Sequence, residues 1–297
     1  MKAFAALVHR EYIEHRGAFF IAPLIMVAIV FLLTLFAFSV DRINTRFSGQ
    51  LLTVVPTWVF EAGFAALAAG WLVYLGFVLF FYCADGFAAD KRNNAMLFWK
   101  SMPVSDFKVL LSKLTAALTI LPGSIFAVAL VSILLMYGVA YVTTMLAGLG
   151  NTTLLWAILV IFAQMSLVLL VVIACALLWY LPYMALVGAM GTAAGRWAIP
   201  LALLLPSILS VLEWVTMGGG RHPFDTHIWH YLNYRSQFPV SFDYLDRVWE
   251  GLQAFDAMTF TTDFLQKFDW LQVGIGAVFA LAAIYIASEY RRRSAAN

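Results

Sequence analysis

The chain alternates long apolar runs with short polar segments. Six of the runs are each about 20 residues long, the length that a helix needs to cross the hydrocarbon core of a bilayer. They occupy residues 19–40, 62–84, 114–141, 154–179, 197–215 and 271–288. Because lipid offers no hydrogen-bond partner to an open backbone, runs of this kind predict helices. The pattern predicts an all-α polytopic membrane protein with six transmembrane helices, forming a single transmembrane domain over residues 1–297.

Composition leads to the same class. Of the 297 residues, 63% are hydrophobic and 11% are charged, which is too apolar for a soluble globular protein. The two cysteines are too few for a disulfide framework and do not indicate a metal cluster.

The positions of lysine and arginine predict the orientation of the chain. If the N-terminus is cytoplasmic, twelve of the eighteen Lys and Arg residues fall in inside segments and six in outside loops. Because cytoplasmic segments are enriched in these residues, both termini are predicted to be cytoplasmic.

Residues 1–17 precede the first apolar run and are amphipathic. Apolar residues recur there at helical spacing: Phe4, Leu7, Val8 and Tyr12. The spacing predicts an interfacial helix along the inner membrane surface, an elbow bent into the first span near Gly17. The alternative is an ordinary charged cytoplasmic tail. The run at 19–40 is longer than the apolar region of a signal peptide and is predicted to remain in the protein.

Residues 85–113 form the longest polar interruption on the predicted cytoplasmic side. The segment contains five of the Lys and Arg residues with apolar residues between them, so one face requires a partner to cover it. Ser105 is a good helix N-cap, Asp106 suits the positive end of the helix dipole, and Pro103 fits a chain break before the helix. We expect a short cytoplasmic helix that runs directly into the third span.

The predicted outer loop at 216–270 is long and aromatic. Its pattern predicts one or two amphipathic helices resting on the outer face of the bundle, with Ser241 capping one of them. The loop either packs as an interfacial belt or forms a recognition surface. Three histidines there are weak metal-ligand candidates: His222, His227 and His230. The alternative is that they are interfacial polar residues.

Polar residues are rare inside the predicted spans. Gln164 and Ser166 in the fourth span are the candidates for a substrate path, although Gln164 also suits a hydrogen bond to a neighbouring helix. Gly191 and Gly195 form a small-residue pattern with Gly188 one turn earlier, and it predicts a close helix approach at an inner turn. A GxxxxGK[ST] phosphate loop is missing from the sequence, so if the protein does energised work, the nucleotide site is on another chain.

The segment at 90–113 carries a resemblance to a known family. It reads Asp90-Lys91-Arg92-Asn93-Asn94, then Leu97-Phe98-Trp99-Lys100-Ser101-Met102-Pro103-Val104-Ser105, and later Lys113. This resembles the acidic-basic-basic pattern, the short apolar run, the Leu-Pro-Val/Ile-Ser turn and the span-opening lysine of ABC-2-type permeases, the membrane subunits of ABC exporters. Met102 stands where Leu is usual, and Asn94 replaces a common Gly. Trp179-Tyr180-Leu181-Pro182 is similar to a subgroup of these permeases, and the resemblance weakens at 216–270.

The resemblance implies a function and a set of partners. Two permease copies would pair in a bacterial cytoplasmic (inner) membrane above a dimer of cytoplasmic ATPase subunits, which hold ATP and Mg. This chain would then carry no cofactor, catalyse nothing by itself and bind no nucleic acid. The residues implied to couple to the ATPase are Asp90, Lys91, Arg92, Met96, Leu97, Phe98, Trp99, Pro103 and Ser105.

Two other classes of function remain open at this stage. One is a membrane-embedded enzyme or metal-dependent maturation factor that uses the outer-loop histidines. The other is a non-transporting membrane scaffold.

Overall fold

The computed structural model describes residues 2–39, 57–92, 104–146, 152–217, 226–239 and 255–294. All regular structure within these residues is helical. The α-helices are α1 (Lys2–Arg16), α2 (Ala22–Ser39), α3 (Trp58–Arg92), α4 (Asp106–Leu118), α5 (Ile120–Leu146), α6 (Thr152–Ala194), α7 (Ala198–Thr216), α8 (His227–Ser236), α9 (Ala257–Lys267) and α10 (Trp270–Ser294).

Within the residues that the structure describes, six helical stretches are long and apolar enough to cross a membrane. They are Ala3–Ala37, Trp58–Asp90, Asp106–Leu146, Thr152–Ala194, Ala198–Thr216 and Trp270–Arg293. The predicted all-α class and the six membrane-length helices are thereby confirmed, and the protein is a multi-pass membrane protein.

The first and third of these stretches lie side by side and run in the same direction. Leu7 packs with Val109, and the Ser124 hydroxyl lies 3.2 Å from the Phe19 carbonyl oxygen. At the bend predicted near Gly17, the structure has a π-helical turn over Gly17–Ile21, and the chain stays helical through it. The prediction that residues 1–17 lie on a membrane surface stays a prediction.

The helix predicted to start after Ser105 is confirmed. The Ser105 side chain accepts a hydrogen bond from the Lys108 backbone N–H at 3.4 Å, which caps α4. The helix is interrupted only at Thr119 and continues as α5, so α4 forms the first part of the third membrane-length stretch.

The fourth stretch is longer than predicted. It continues past residue 179 to Ala194 with Pro182 inside it, whereas the apolar run suggested an end before this proline. Pro182 has no N–H group to donate to the carbonyl four residues earlier, that of Leu178. At the next residue, Arg235 of α8 donates from Nη2 to the Trp179 carbonyl oxygen at 2.7 Å and so ties α8 to α6 beside the proline.

The glycine pattern does mark a close helix approach, although it lies within α6. A Cβ atom at Gly191 would lie 2.8 Å from the carbonyl oxygen of Ala84 on α3, and one at Gly188 would lie 3.0 Å from the Phe87 ring. The turn itself follows at Gly195, whose φ of 56° suits glycine. The glycines therefore let α3 and α6 touch backbone to backbone.

The described part of the 216–270 loop contains α8 and α9. They pack beside the middle of α6: Phe260 of α9 packs on Val168, and Phe264 and Phe268 pack around Trp179. The helix expected after Ser241 lies outside the described residues. The predicted amphipathic character holds for α9, whose buried side is Ala257, Phe260, Thr261 and Phe264.

Candidate functional site

Four charged side chains from four helices are buried at one end of the bundle. Glu11 of α1, Asp90 of α3, Lys113 of α4 and Arg291 of α10 are each 4% exposed or less. Such residues are almost never fully buried unless they are paired. We refer to these four side chains as the ion network, and to their end of the bundle as the charged end.

Lys113 lies at the centre of the ion network. Its Nζ atom lies 3.2 Å from Glu11 Oε1 and 3.7 Å from Asp90 Oδ2, and it donates to the Gly86 carbonyl oxygen at 2.9 Å. The Tyr82 hydroxyl donates to Glu11 Oε2 at 3.0 Å. A single ammonium group thus joins α1, α3 and α4.

Arg291 joins the two ends of the chain segment that carries the family resemblance. Its Nη1 atom lies 2.8 Å from Asp90 Oδ2, and its Nε atom lies 2.9 Å from Asp106 Oδ1. Asp90 lies just before residues 91–105 and Asp106 just after them. The C-terminal part of α10 therefore fixes the base of the 91–105 segment on both sides.

The energetic consequence is asymmetric. A complete buried ion pair contributes little net stability, but removal of one partner costs about 3–5 kcal/mol because the other charge stays buried alone. The ion network therefore specifies one arrangement of α1, α3, α4 and α10 more than it strengthens the fold.

The predicted ATPase-coupling residues divide into three groups. Asp90 is buried in the ion network, and Ser105 caps α4. Lys91 and Arg92 are the last residues of α3. Met96, Leu97, Phe98, Trp99 and Pro103 lie outside the described residues, so their proposed contact with an ATPase stays a prediction.

Neither candidate substrate-path residue lines the apolar cavity that is found among the described residues. Gln164 is exposed on α6, and the Ser166 hydroxyl donates to the Phe162 carbonyl oxygen of its own helix at 2.6 Å. A cavity of about 620 Å³ lies instead between α2, α3 and α5. Sequence reasoning missed this cavity because its lining is almost wholly apolar and resembles any lipid-facing surface.

The histidine candidates do not come together as a metal site in the described residues. His222 lies outside them, and His230 is exposed on α8. His227 Nδ1 lies 2.9 Å from Glu213 Oε1, and the Glu213 carboxylate also accepts the backbone N–H groups of His227 and Ile228 at 3.1 Å each. Glu213 therefore caps the N-terminus of α8, and His227 supports that cap.

The π-helical turn connects the ion network with the cavity. It lies between Glu11 of α1 and the cavity-lining residues of α2. The Tyr74 hydroxyl donates to the Ala18 carbonyl oxygen at 2.7 Å, and Ser124 donates to the Phe19 carbonyl oxygen. The Phe19 ring packs edge-on against Tyr82, the hydrogen-bond partner of Glu11. Side chains of α3 and α5 thus hold the widened turn in place.

Sequence reasoning did not pair the charges. It assigned Glu11 to a surface helix and Lys113 to the start of a span, and it left Arg291 in the cytoplasmic C-terminal segment. The usable signal was the place of each charge at the edge of an apolar run, where burial demands a partner of opposite sign.

Comparison with known protein families, with curated proteins and with solved structures finds no match for this chain.

Proposed function

We propose that this protein is the permease subunit of an ATP-driven exporter of the ABC-2 type. It works with a separate ATPase chain and moves an unidentified substrate across or out of the membrane. The observation that carries the proposal is the clamp of Arg291 on Asp90 and Asp106, because it holds both ends of the segment that resembles the ATPase-contacting part of such permeases.

In this proposal the 91–105 segment is displaced by the ATPase, and the ion network transmits that displacement to the helices. Closure of the ATPases on ATP pushes the apolar side chains at 96–99. The push passes through Asp90 and Asp106 to Arg291, and through Lys113 to Glu11, so α1, α3, α4 and α10 move together. Packed helices with fixed ion pairs switch between discrete arrangements, and the bundle accordingly alternates between two states.

The same proposal gives the protein its place in the cell. The charged end faces the cytoplasm of a bacterial inner membrane, with both termini on that side. The helix α1 is the interfacial elbow, residues 85–113 are the cytoplasmic coupling segment, and α8 and α9 belong to the outer loop. Two copies pair above the ATPase dimer, which binds ATP and Mg.

Co-purification tests the proposal. If Phe98 and Trp99 insert into the ATPase, the double substitution Phe98→Ala/Trp99→Ala should remove most of the bound ATPase, because truncation of a buried interface aromatic costs about 2 kcal/mol or more. The readout is the ratio of ATPase to permease after affinity purification, with the ATPase identified as a chain that contains a phosphate loop.

The matched control is Trp156→Ala, which truncates an exposed tryptophan near the opposite end of the bundle. This control should retain the wild-type ratio. An equal ATPase ratio in wild type and in the double variant would show that residues 96–99 do not bind the ATPase.

A further inference from the structure

The cavity between α2, α3 and α5 has walls that suit one class of ligand. They are residues 26–34 of α2, 66–74 of α3 and 132–140 of α5, and no charged side chain is among the lining residues. Its volume of about 620 Å³ is in the range of small-molecule binding sites. All three helices belong to stretches that are long and apolar enough to cross a membrane.

Each polar side chain in the lining already has a partner inside the chain. Trp71 Nε1 donates to Ser132 Oγ at 2.9 Å, and Ser132 donates to the Ala129 carbonyl oxygen at 2.7 Å. The Tyr74 and Thr34 hydroxyls donate to backbone carbonyl oxygens at 2.7 and 2.9 Å. Every hydrogen-bond donor in these side chains is therefore already paired, and the remaining lining is apolar, so the cavity favours hydrocarbon.

The cavity is also open to the membrane and has the length of a lipid tail segment. Val30 and Met26 at its edge are 63% and 50% exposed, so the opening lies on the lipid-facing side of α2. On each helix the lining extends over nine residues, and the eight steps of about 1.5 Å between the first and the last span about 12 Å. One leaflet contributes about 15 Å of the hydrocarbon core.

We propose that this cavity binds one acyl chain of a membrane phospholipid, which enters sideways from the bilayer. The inference rests on the cavity alone and holds whether or not an ATPase partner binds at the charged end. Because the Tyr74 hydroxyl lines the cavity and also holds the Ala18 carbonyl oxygen, the bound chain lies next to the π-helical turn.

Gly70 offers a clean way to fill the cavity. It lines the cavity, and a Cβ atom there would meet nothing within 4 Å, so Gly70→Leu places its side chain in open space. Gly76 on the same helix has equally open surroundings and does not line the cavity. Gly76→Leu is therefore the matched control for the substitution itself.

The experiment uses the full chain in nanodiscs made of phosphatidylcholine with a photoreactive diazirine on one acyl chain. Labelled peptides are mapped by mass spectrometry, and labels near Met26 and Met136 are divided by labels near the exposed Leu203 and Val278. We expect an excess of cavity labels in wild type and in Gly76→Leu. In Gly70→Leu the ratio should fall roughly tenfold, the factor that follows from displacing about two buried methylene groups.

Two outcomes would overturn the inference. A wild-type ratio no higher than that of the reference surface would mean that lipid does not enter, as when a second protein chain covers the opening. An unchanged ratio in Gly70→Leu would mean that the labels come from lipids around the protein and not from a chain inside the cavity.

Discussion

Lys113 shows how a single side chain can determine the arrangement of several helices. It is 1% exposed, and its ammonium group lies between carboxylates from α1 and α3 while its backbone belongs to α4. A hydrophobic residue at this position would leave the buried Glu11 carboxylate without its lysine partner. The requirement is electrostatic, because Glu11 and Asp90 are themselves buried.

Substitution of Lys113 should therefore be more harmful alone than in combination. Lys113→Met leaves the buried Glu11 carboxylate without its lysine partner, while Asp90 keeps Arg291, and should lower the free energy of unfolding by about 3–5 kcal/mol. Adding Glu11→Gln should restore part of the loss, because it removes the charge that Lys113→Met leaves buried. Denaturant unfolding in detergent micelles measures the free energy of unfolding of the single and the double variant.

The control is Lys267→Met. Because Lys267 pairs with Asp263 at an exposed position, this substitution should change the free energy of unfolding by at most about 1 kcal/mol. A loss for Lys113→Met no larger than that of the control would contradict the role assigned to the ion network.

At the scale of the helices, contact between α3 and α6 depends on glycine. Gly191→Ala would place a methyl group 2.8 Å from the Ala84 carbonyl oxygen, which is backbone and cannot rotate away. We expect a loss of about 1–3 kcal/mol from overpacking, seen as a lower unfolding midpoint. Gly138→Ala in α5 is the comparison, because nothing lies within 4 Å of its Cβ position and alanine favours helix. Equal midpoints for the two variants would show that the helices can separate without cost.

The start of α9 should respond to acid. The Thr259 hydroxyl and backbone N–H both donate to the Asp256 carboxylate, and these hydrogen bonds lower the pKa of Asp256 below its usual value. A lowered folded-state pKa gives a stabilisation that is present above the unfolded pKa and is lost as the pH falls through the folded one. A spin label on the exposed Thr262, introduced as Thr262→Cys, should become more mobile over that acidic range.

The matched variant for this pH response is Asp256→Asn, which keeps a good N-cap without a titrating group. Its label should show no mobility change over the same range. The same acid response in both proteins would assign the transition to another group.

At the scale of the whole molecule, the sequence correctly predicted the features that depend on residues close together in the chain. Six apolar runs predicted six membrane-length helices, and Ser105 predicted the start of α4, because length, polarity and capping act over a few residues. The fourth span was predicted to end at residue 179, but α6 continues to Ala194, and contacts that hold this part of the helix, such as that of Arg235 with the Trp179 carbonyl oxygen, come from far along the chain. The pairing of Asp90 with Arg291 joins residues 201 positions apart, a separation that no periodicity reports. The cavity forms only where three helices lie beside one another, so no local pattern in the sequence predicts it.

The central claim is that a clamped 91–105 segment couples this bundle to an ATPase. Its most direct test is ATP turnover of the purified permease–ATPase complex in lipid, comparing wild type with Arg291→Lys. Lysine keeps the charge but lacks the planar fork with which arginine bridges Asp90 and Asp106. We expect the Arg291→Lys variant still to bind the ATPase but to stimulate its ATP turnover about tenfold less than wild type does. A tenfold loss corresponds to about 1.4 kcal/mol of coupling free energy. The control is Arg292→Lys at the exposed neighbouring position, which should match wild type. Failure of any phosphate-loop ATPase to bind, or full stimulation by Arg291→Lys, would contradict it.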